Sequence, residues 1–250
     1  IRRQRQMCIR DRYRISGKLI NMGDQQKAGA VIVAAGESRR MGGIDKVLAP
    51  LGGKPVLARV VDTFQACHSV HQVVIVVSKQ NLKRCSQLVT EEGWSKVTGV
   101  CAGGKRRQDS VAAGLSQLKS CNWAIIHDAA RPLLTVNLIE QGLMEARETG
   151  AAVASIPVKD TIKVAGDDRI VCQTPPRQSL WAVQTPQVFR FDVIAEAYHQ
   201  AKDEVTDDAS LVEQLGYKVK LYMGAYDNIK ITTPEDLALA EILWQKHGKE

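Results

Sequence analysis

Short runs of Val, Ile and Ala alternate with amphipathic helical patterns, and this alternation constrains the fold more than any other feature. The apolar runs lie at residues 30–34, 73–77, 97–101, 123–126 and 151–158. The helical patterns between them lie at residues 56–66, 81–90, 110–118 and 138–147. A strand can dispense with polar residues only when both of its faces are covered, as in parallel βαβ units. The pattern therefore predicts an α/β fold with a doubly wound, mostly parallel sheet.

The alternation stops between residues 159 and 189. Residues 161–164 and 169–172 form two short alternating stretches around the turn sequence Ala-Gly-Asp-Asp, which predicts a projecting β-hairpin arm at about residues 159–184. Two strands have too little core to be stable alone, so we expect the arm to pack against another surface. A second subunit is the simplest candidate.

The α/β pattern then resumes. It predicts helices at residues 192–201 and 209–215, a strand at 218–223 and a final helix with Thr233 as its N-cap. No repeat, linker or low-complexity stretch divides residues 28–247, so we expect them to form one domain.

The net charge of +7 is concentrated at the beginning of the chain. Residues 1–28 contain eight basic and two acidic side chains, which leaves 26 basic and 25 acidic side chains elsewhere. The nearly neutral body argues against nucleic acid as a partner, because a nucleic-acid backbone requires a continuous basic surface. Residues 1–27 are expected to be a disordered basic tail without a membrane or secretory segment.

The origin of this tail has two interpretations. Residues 5–15 resemble translated sequencing adapter, so residues 1–21 are either foreign to the protein, with Met22 as the start, or a genuine basic arm. The six cysteines are widely spaced without a Cys-x-x-Cys pair, which favours reduced thiols in the cytoplasm.

Glycines and cations follow the first predicted strand, where a parallel sheet binds its ligands. Gly36 and the small residues Ala34 and Ala35 let backbone N–H groups approach an anion. Positive charge is supplied beyond them by Arg39, Arg40 and Lys46. The chain has no Gly-x-Gly, and its Gly-Gly-Lys-Pro lacks the features of a P-loop, so the segment predicts a different kind of anion site.

A carboxylate follows the fourth predicted strand, in the segment Ile-Ile-His-Asp-Ala-Ala-Arg-Pro. Here Asp128 comes directly after buried residues and Arg131 lies three positions later. A carboxylate beside phosphate-binding cations would repel an anionic ligand unless a metal intervened, and Mg²⁺ prefers one or two carboxylates plus phosphate oxygens. Asp128 is therefore predicted to bind Mg²⁺. The alternative is a helix N-cap or a salt bridge with Arg131.

Six segments occur in a fixed order along the chain: AAGESRRMGGIDKVLAPLGGKPVL, AGGKRRQDSV, HDAARP, QTPQVF, TDDAS and DNIKITTPEDLALAE. In this order they resemble the 2-C-methyl-D-erythritol 4-phosphate cytidylyltransferases of the non-mevalonate isoprenoid pathway, from about Gly29 to Trp244. The resemblance implies a Rossmann-like nucleotidyltransferase fold. It also implies transfer of CMP from CTP to the polyol phosphate, with release of pyrophosphate and formation of 4-diphosphocytidyl-2-C-methyl-D-erythritol.

The resemblance implies roles for residues that would bind the nucleotide. Arg40 and Lys46 would stabilise the transition state at the α-phosphorus, and Mg²⁺ on Asp128 would neutralise phosphate oxygens. The Gly104 backbone and the Ser110 hydroxyl would contact the cytosine edge. Ser38 stands where relatives often have glycine, which leaves the choice of Arg40 over Arg39 open.

The remaining implied roles concern the second substrate and the arm. Contacts with the polyol phosphate are expected from Arg131, Thr185, Thr206 and Lys230. The arm would supply Thr161 and Arg177 to the neighbouring subunit of a homodimer. The prolines of the segment Thr-Pro-Pro-Arg differ from the family pattern and make the Arg177 assignment less direct.

Two alternative functions remain open. A cytidylyltransferase for ribitol 5-phosphate would have similar loops and differ only at the alcohol end of the pocket. A non-catalytic protein that binds a nucleotide or a nucleic acid would have the same fold without turnover.

Overall fold

A computed structural model of the protein describes residues 27–36, 45–201 and 203–247. Residues 1–26 of the tail, which include Met22, and also Ser38, Arg39 and Arg40 lie outside the described residues, and so do the predictions made for them. Within the described residues, no helix is long and apolar enough to cross a bilayer.

The strands occupy most of the apolar runs that the sequence contains. In chain order they are β1 (Ala28–Ala34), β2 (Pro50–Leu51), β3 (Lys54–Pro55), β4 (Val70–Val77), β5 (Val97–Ala102), β6 (Trp123–Asp128), β7 (Ala151–Pro157), β8 (Val164–Ala165), β9 (Val171–Gln173), β10 (Trp181–Arg190) and β11 (Lys220–Met223). The helices are α1 (Val56–Ala66), α2 (Leu82–Glu92), α3 (Arg107–Leu115), α4 (Val136–Thr149), α5 (Phe191–Gln200), α6 (Asp208–Gln214) and α7 (Pro234–His247).

Seven strands form one sheet in the order β11-β7-β10-β6-β1-β4-β5. Strand β10 runs antiparallel to β6 and β7, whereas the other neighbouring strands are parallel. The predicted doubly wound, mostly parallel α/β sheet is therefore confirmed. The chain lays β4 and β5 on one side of β1 and then returns to place β6 on its other side. This reversal makes the carboxyl ends of β1 and β6 the switch point where open α/β sheets bind ligands.

Helices cover both faces of the sheet, which is why the strands need no polar alternation. Along β1, Ala30 and Ile32 pack into an apolar cluster with α1 and α4, while Val31 packs into a second cluster with α3, α5 and α6. Strand β1 is therefore buried on both sides, which fixes the position of its carboxyl end.

The predicted hairpin is present as β8 and β9, which pair with each other and with no strand of the large sheet. None of the residues from Lys159 to Val183 is buried. We call residues 159–183 the arm. Strand β10, which returns from the arm to the sheet, was not predicted.

Candidate active site

A cavity of about 460 Å³ opens at the switch point, beside the carboxyl end of β6. Its walls come from β6, from the antiparallel strand β10, from the beginnings of α3 and α6, and from the segment before α7. Charged groups that line it include Arg107, Asp128, Arg131, Asp207 and Lys230. The sheet thus brings together side chains that are more than 120 positions apart in sequence.

Asp128 is the central carboxylate of this cavity, and both of its oxygens are paired. Its Oδ1 lies 3.2 Å from Arg107 Nε and its Oδ2 lies 2.6 Å from Lys230 Nζ. Burial alone would raise the carboxyl pKa, but Arg107 and Lys230 outweigh it and hold the pKa well below the ordinary value of 3.8. Asp128 is therefore ionised throughout the working pH range of an enzyme.

Arg107 bridges two buried carboxylates. Besides Asp128 it reaches Asp208, with 2.8 Å between Arg107 Nη2 and Asp208 Oδ2, and the Tyr198 hydroxyl donates to the other oxygen of Asp208. Burial would lower the pKa of the guanidinium, but the carboxylates of Asp208 and Asp128 outweigh this and raise it. The pairing keeps the Arg107 fork at a fixed place in the wall of the cavity.

His127, immediately before Asp128, takes part in a chain of hydrogen bonds in which each donor and acceptor can be assigned. The Asp128 N–H donates to Thr185 Oγ1 over 3.1 Å, so the Thr185 hydroxyl must give its proton to another group. His127 Nδ1 lies 3.0 Å from that hydroxyl, and His127 Nε2 lies 3.1 Å from the Arg131 carbonyl. A carbonyl can only accept, so Nε2 carries the proton and Nδ1 accepts from Thr185.

This arrangement excludes His127 as a general base. Its ring is fully buried and packs edge-on against Phe64. Burial lowers the pKa of His127 from 6.5 to about 4, which keeps the ring neutral near pH 7. Both ring nitrogens are committed to holding the Asp128–Arg131 turn and strand β10 together.

Arg131 lies across the cavity and is fixed by the segment before α7. Its Nη1 donates to the Asn228 carbonyl over 2.7 Å, while its Nε is buried without a hydrogen-bond partner among the described residues. Asn228 in turn donates to the Thr185 carbonyl and to Gln184 of β10. An unpaired buried N–H costs free energy, so it is a ready donor for an anionic or hydroxylated ligand.

The opposite wall is the segment at the beginning of α6, where Thr206 lines the cavity. Asp207 is the N-cap of this helix, because its carboxylate accepts from the Ser210 N–H over 3.2 Å. Gln187 of β10 donates to Asp207 and accepts from the Ala209 N–H, which ties the wall to the sheet. The wall therefore offers the hydroxyl groups of Thr206 and Ser210 and the carboxylates of Asp207 and Glu213 rather than further cations.

The end of β5 packs against the end of β1. A Cβ atom on Gly103 would lie 2.3 Å from the Ala35 Cβ, so this position requires glycine. The Gly104 N–H donates to the Ser110 hydroxyl over 3.2 Å, and the Ser110 hydroxyl donates to the Arg106 carbonyl over 3.2 Å. Gly104 and Ser110 are thus in contact with each other, and their predicted contact with cytosine stays a prediction.

Lys46 lies in a turn whose backbone is fixed on both sides. The Asp45 carbonyl accepts from the N–H groups of Leu48 and Ala49, at 3.1 and 2.9 Å, and the Asp45 carboxylate accepts from the Asn81 side chain. The turn immediately follows the part of the first loop that contains Arg39 and Arg40.

Five of the predicted site residues share the cavity: Asp128, Arg131, Thr185, Thr206 and Lys230. Thr185 makes two hydrogen bonds within the chain, so toward a ligand its hydroxyl retains acceptor capacity only. Ala34 is buried at the end of β1, and Gly36, two positions later, is exposed. Thr161 and Arg177 lie on the arm, and neither lines the cavity of its own chain; Arg177 Nη1 donates to the Lys159 carbonyl instead.

Sequence reasoning missed Arg107, Asp208 and the two glutamines of β10. The helical pattern placed the beginning of this helix at residue 110, which left Arg107 in the preceding loop. The structure begins α3 at Arg107, which places its side chain and that of Ser110 one helical turn apart on the same face.

Asp128 provides the donor that a Mg²⁺ ion would need from the protein. Among the described residues, no group of three or more His, Cys, Asp or Glu side chains could hold a metal ion. A single ionised carboxylate at the edge of an open cavity still suits Mg²⁺, which takes its remaining ligands from phosphate oxygens and water. The residues therefore fit a metal that arrives with a nucleotide rather than one held in a protein cage.

Comparison with known proteins identifies the family with which this site is associated. A family model described as IspD, 2-C-methyl-D-erythritol 4-phosphate cytidylyltransferase, matches residues 28–246. Two proteins with the same description, from the 195 and CBDB1 strains of Dehalococcoides mccartyi, are 53% and 51% identical over 221 residues, which cover 88% of this chain and 97% of each relative.

A solved structure also resembles the chain along most of its length. The 4-diphosphocytidyl-2C-methyl-D-erythritol synthase from Anaerococcus prevotii superposes with a TM-score of 0.80 at 30% identity, covering 88% of this chain and 97% of that structure. The sheet and the loops at its edge are therefore those of a known fold.

Proposed function

Because the chain belongs to the 2-C-methyl-D-erythritol 4-phosphate cytidylyltransferase family, we propose that the cavity around Asp128 is where it joins its two substrates. The enzyme transfers the cytidylyl group of CTP to 2-C-methyl-D-erythritol 4-phosphate in isoprenoid precursor biosynthesis. One observation supports placing the reaction at this cavity. An ionised carboxylate is held between Arg107 and Lys230 at the switch point of the sheet, where ligands of α/β proteins bind.

The chemistry requires charge stabilisation and alignment rather than a base. An oxygen of the polyol phosphate attacks the α-phosphorus of CTP, a new P–O bond forms, and the bond to the bridging oxygen breaks with pyrophosphate as the leaving group. The attacking phosphate is already anionic near pH 7, because its second pKa is about 6. The neutral, hydrogen-bonded His127 agrees with a mechanism that needs no proton acceptor.

Cations that contact each of the two substrates would lower the barrier. Lys46 and Arg40 contact the triphosphate and stabilise the charge that develops at the α-phosphorus. Lys230 and Arg131 hold the attacking phosphate in line, with the unpaired Arg131 Nε as a donor. The Thr206 hydroxyl and the acceptor oxygen of Thr185 bind hydroxyl groups of the polyol.

The loop at the end of β5 would bind the cytosine. The Gly104 backbone and the Ser110 hydroxyl, which bond to each other in the unliganded chain, would contact the cytosine edge. Backbone groups and a small hydroxyl favour a pyrimidine over the larger purines. Ala34, Ala35 and Gly36 would lead from this loop toward the triphosphate.

Asp128 would hold Mg²⁺ together with phosphate oxygens of the nucleotide. When bound, the ion neutralises phosphate charge and thereby reduces the repulsion between the two anionic substrates. Lys230, whose Nζ lies 2.6 Å from Asp128 Oδ2, would then share its charge between that carboxylate and the attacking phosphate.

The arm would complete the site of a second copy of the chain. Thr161 and Arg177 are exposed on the arm and do not line the cavity of their own chain. Ile162, Val164, Ile170 and Val171 are also exposed there, and an apolar hairpin of this kind is stable when it packs on a partner. We therefore assign the protein as a homodimer with Thr161 and Arg177 acting in trans. Its five described cysteines are unpaired, which agrees with a cytoplasmic enzyme.

A direct assay tests the proposal. Pyrophosphate release from CTP is measured with 2-C-methyl-D-erythritol 4-phosphate and, separately, with ribitol 5-phosphate, each with and without Mg²⁺. We expect turnover with the first alcohol phosphate, strict dependence on the metal, and a loss of orders of magnitude in kcat for Lys46→Ala with an unchanged fold. Preference for ribitol 5-phosphate would overturn the substrate assignment, and unchanged turnover in Lys46→Ala would remove Lys46 from the mechanism.

A further inference from the structure

The turn that contains Lys46 is joined by backbone hydrogen bonds to a small hairpin, β2 and β3, and this hairpin does not line the cavity. The Val47 carbonyl accepts from the Leu57 N–H and the Ala49 carbonyl accepts from the Val56 N–H, each over 2.9 Å. Strands β2 and β3 continue directly from these contacts and pair with each other. The position of the Lys46 turn therefore depends on the position of the β2–β3 hairpin.

Side chains of the C-terminal helix α7 and of α1 contact the turn between β2 and β3. The Gly52 N–H donates to Glu241 Oε2 over 2.8 Å, and Arg59 donates to the carbonyls of Leu51 and Gly52. The Arg59 guanidinium lies 4.2 Å from the centre of the Trp244 ring. Gly52 has a φ of +56°, and a Cβ atom there would lie 2.3 Å from Trp244 Nε1, so both the turn and the contact require glycine.

The same helix contacts the segment that carries the other lysine. Ile231 and Ala240 are fully buried in one apolar cluster with Leu51 of the hairpin and Val56, the first residue of α1. The Ile231 N–H also donates to the Ala130 carbonyl over 2.8 Å, which fixes the segment against the Asp128–Arg131 turn. Ile231 directly follows Lys230, so α7 joins the supports of both lysines.

We propose that Arg59, Glu241 and Trp244 are positioning residues that hold the Lys46 turn at the distance from Lys230 that a bound nucleoside triphosphate requires. The proposal rests on the proposed function, because it takes the triphosphate to be the ligand of Lys46. None of the three residues lines the cavity, so they act through the hairpin rather than on the substrates.

The consequence is a specific kinetic signature. Loosening the hairpin lets Lys46 sample positions away from the triphosphate, which weakens both CTP binding and the stabilisation of the transition state, so the KM for CTP rises and kcat falls. The KM for the polyol phosphate changes little, because the Lys230 segment keeps its own hydrogen bonds to the Ala130 carbonyl and, through Asn228, to β10. A merely structural defect would instead lower the active fraction, which reduces the apparent kcat and leaves both KM values unchanged.

The test compares two truncations on the same helix. Trp244→Ala removes the ring under Arg59, whereas Ile242→Ala truncates a side chain that is 66% exposed on the outer face. We expect Trp244→Ala to raise the KM for CTP about five- to tenfold, the loss typical of a partly buried cation–π contact, and Ile242→Ala to match the parent. Trp244→Phe should restore most of the affinity.

A double-mutant cycle ties the effect to Lys46. The Kd for CTP with Mg²⁺ is measured by calorimetry for the parent, Trp244→Ala, Lys46→Ala and the double variant. If Trp244 acts through Lys46, its substitution has no further effect once Lys46 is absent. Equal fold-changes in the two backgrounds would overturn the proposal.

A second variant covers the case in which Trp244→Ala does not fold. Glu241→Gln keeps the shape of the side chain and weakens its bond to Gly52, so we expect a two- to threefold rise in the KM for CTP. An unchanged KM for CTP in a folded Glu241→Gln would refute the positioning role. Absence of turnover in the parent and in Ile242→Ala would instead refute the proposed function.

Discussion

The cavity around Asp128 and the arm contain the same kinds of side chain but differ in where those side chains find partners. In the cavity, Asp128, Arg107 and Asp208 are paired with one another inside one chain. In the arm, no residue between Lys159 and Val183 is buried, and apolar side chains such as Ile170, 66% exposed, face outward. The charged groups of the cavity therefore find their partners within one chain, whereas the arm has a surface that needs a second one.

This difference predicts two kinds of defect. A substitution in the cavity should act in the chain that carries it, and a substitution in the arm should act in the neighbouring chain. Experiments that mix variants can separate the two, which activity measurements on single variants cannot do.

The largest effect is expected at Lys230. Replacing it by Met leaves Asp128 Oδ2 without its 2.6 Å partner and removes a cation from the attacking phosphate, so kcat should fall about a thousandfold. The matched control is Lys220→Met, since Lys220 makes its ion pairs with Glu145 and Glu148 on the surface, away from the cavity. A kcat near the parent value in Lys230→Met would show that Asp128 and its partners are not the reacting site.

The next effect is expected at Arg177 and tests the trans assignment. Arg177→Ala should lower kcat about a hundredfold, because one phosphate contact is lost. Mixed in equal amounts with Lys230→Met under conditions of subunit exchange, it should recover about a quarter of the parent activity. Half of the dimers are then mixed and each has one intact site.

The outcome of the mixing experiment separates the two regions directly. Recovery of activity from two inactive variants requires that Arg177 and Lys230 come from different chains. No recovery, in mixtures shown by mass spectrometry to contain mixed dimers, would place Arg177 in its own chain's site or outside any site.

A smaller effect is expected at His127 and concerns stability. The pKa of His127 is lowered from 6.5 to about 4, so between these values the unfolded chain binds a proton that the native chain does not. The free energy of unfolding therefore falls as the pH is lowered through this window, by about 1.4 kcal/mol per pH unit from this group. Below pH 4 the contribution is constant.

Denaturant unfolding at several pH values measures this slope. His127→Gln keeps a donor toward the Arg131 carbonyl and removes the titrating ring. Between pH 6.5 and 4, the slope of its free energy of unfolding against pH should therefore be shallower than that of the parent by the contribution of one proton. His71→Gln is the control, since His71 is exposed on β4. Equal slopes for the parent and His127→Gln would contradict the buried, neutral state of His127.

The fold was more predictable than the pairings within the site. Parallel strands buried on both faces produce apolar runs that are visible in sequence, and helix α1 has the predicted bounds, Val56–Ala66. Strand β10 was missed because its register with β7 shifts between Val183 and Gln187, around the buried Gln184, Thr185 and Pro186. Such a strand lacks the continuous apolar run that marks the others.

Ordered motifs predicted which residues would meet but not how they pair. Asp128, Arg131, Thr185, Thr206 and Lys230 were expected at one site and line one cavity. The bridge from Arg107 to Asp208 was not predictable, because the two residues are brought together only by the packing of α3 beside α6. Long-range ion pairs depend on tertiary geometry that no local pattern encodes.

The smallest effect is expected from apolar residues of the arm. Ile170→Ser and Val171→Ser replace side chains that are 66% and 53% exposed in one chain, so they should leave the free energy of unfolding of the chain unchanged. In a dimer they would be buried, and each should weaken association by about tenfold in Kd, since burying such a side chain is worth about 1.5 kcal/mol or more. Sedimentation over a concentration series measures this, with Met144→Ser, an exposed position on α4, as the control.

At high protein concentration kcat should equal the parent value, because Arg177 still reaches the neighbouring site once the dimer forms. Equal dimer affinity in all three variants would mean that the apolar surface of the arm is not the contact between subunits, and Arg177 would then have no route to a second chain.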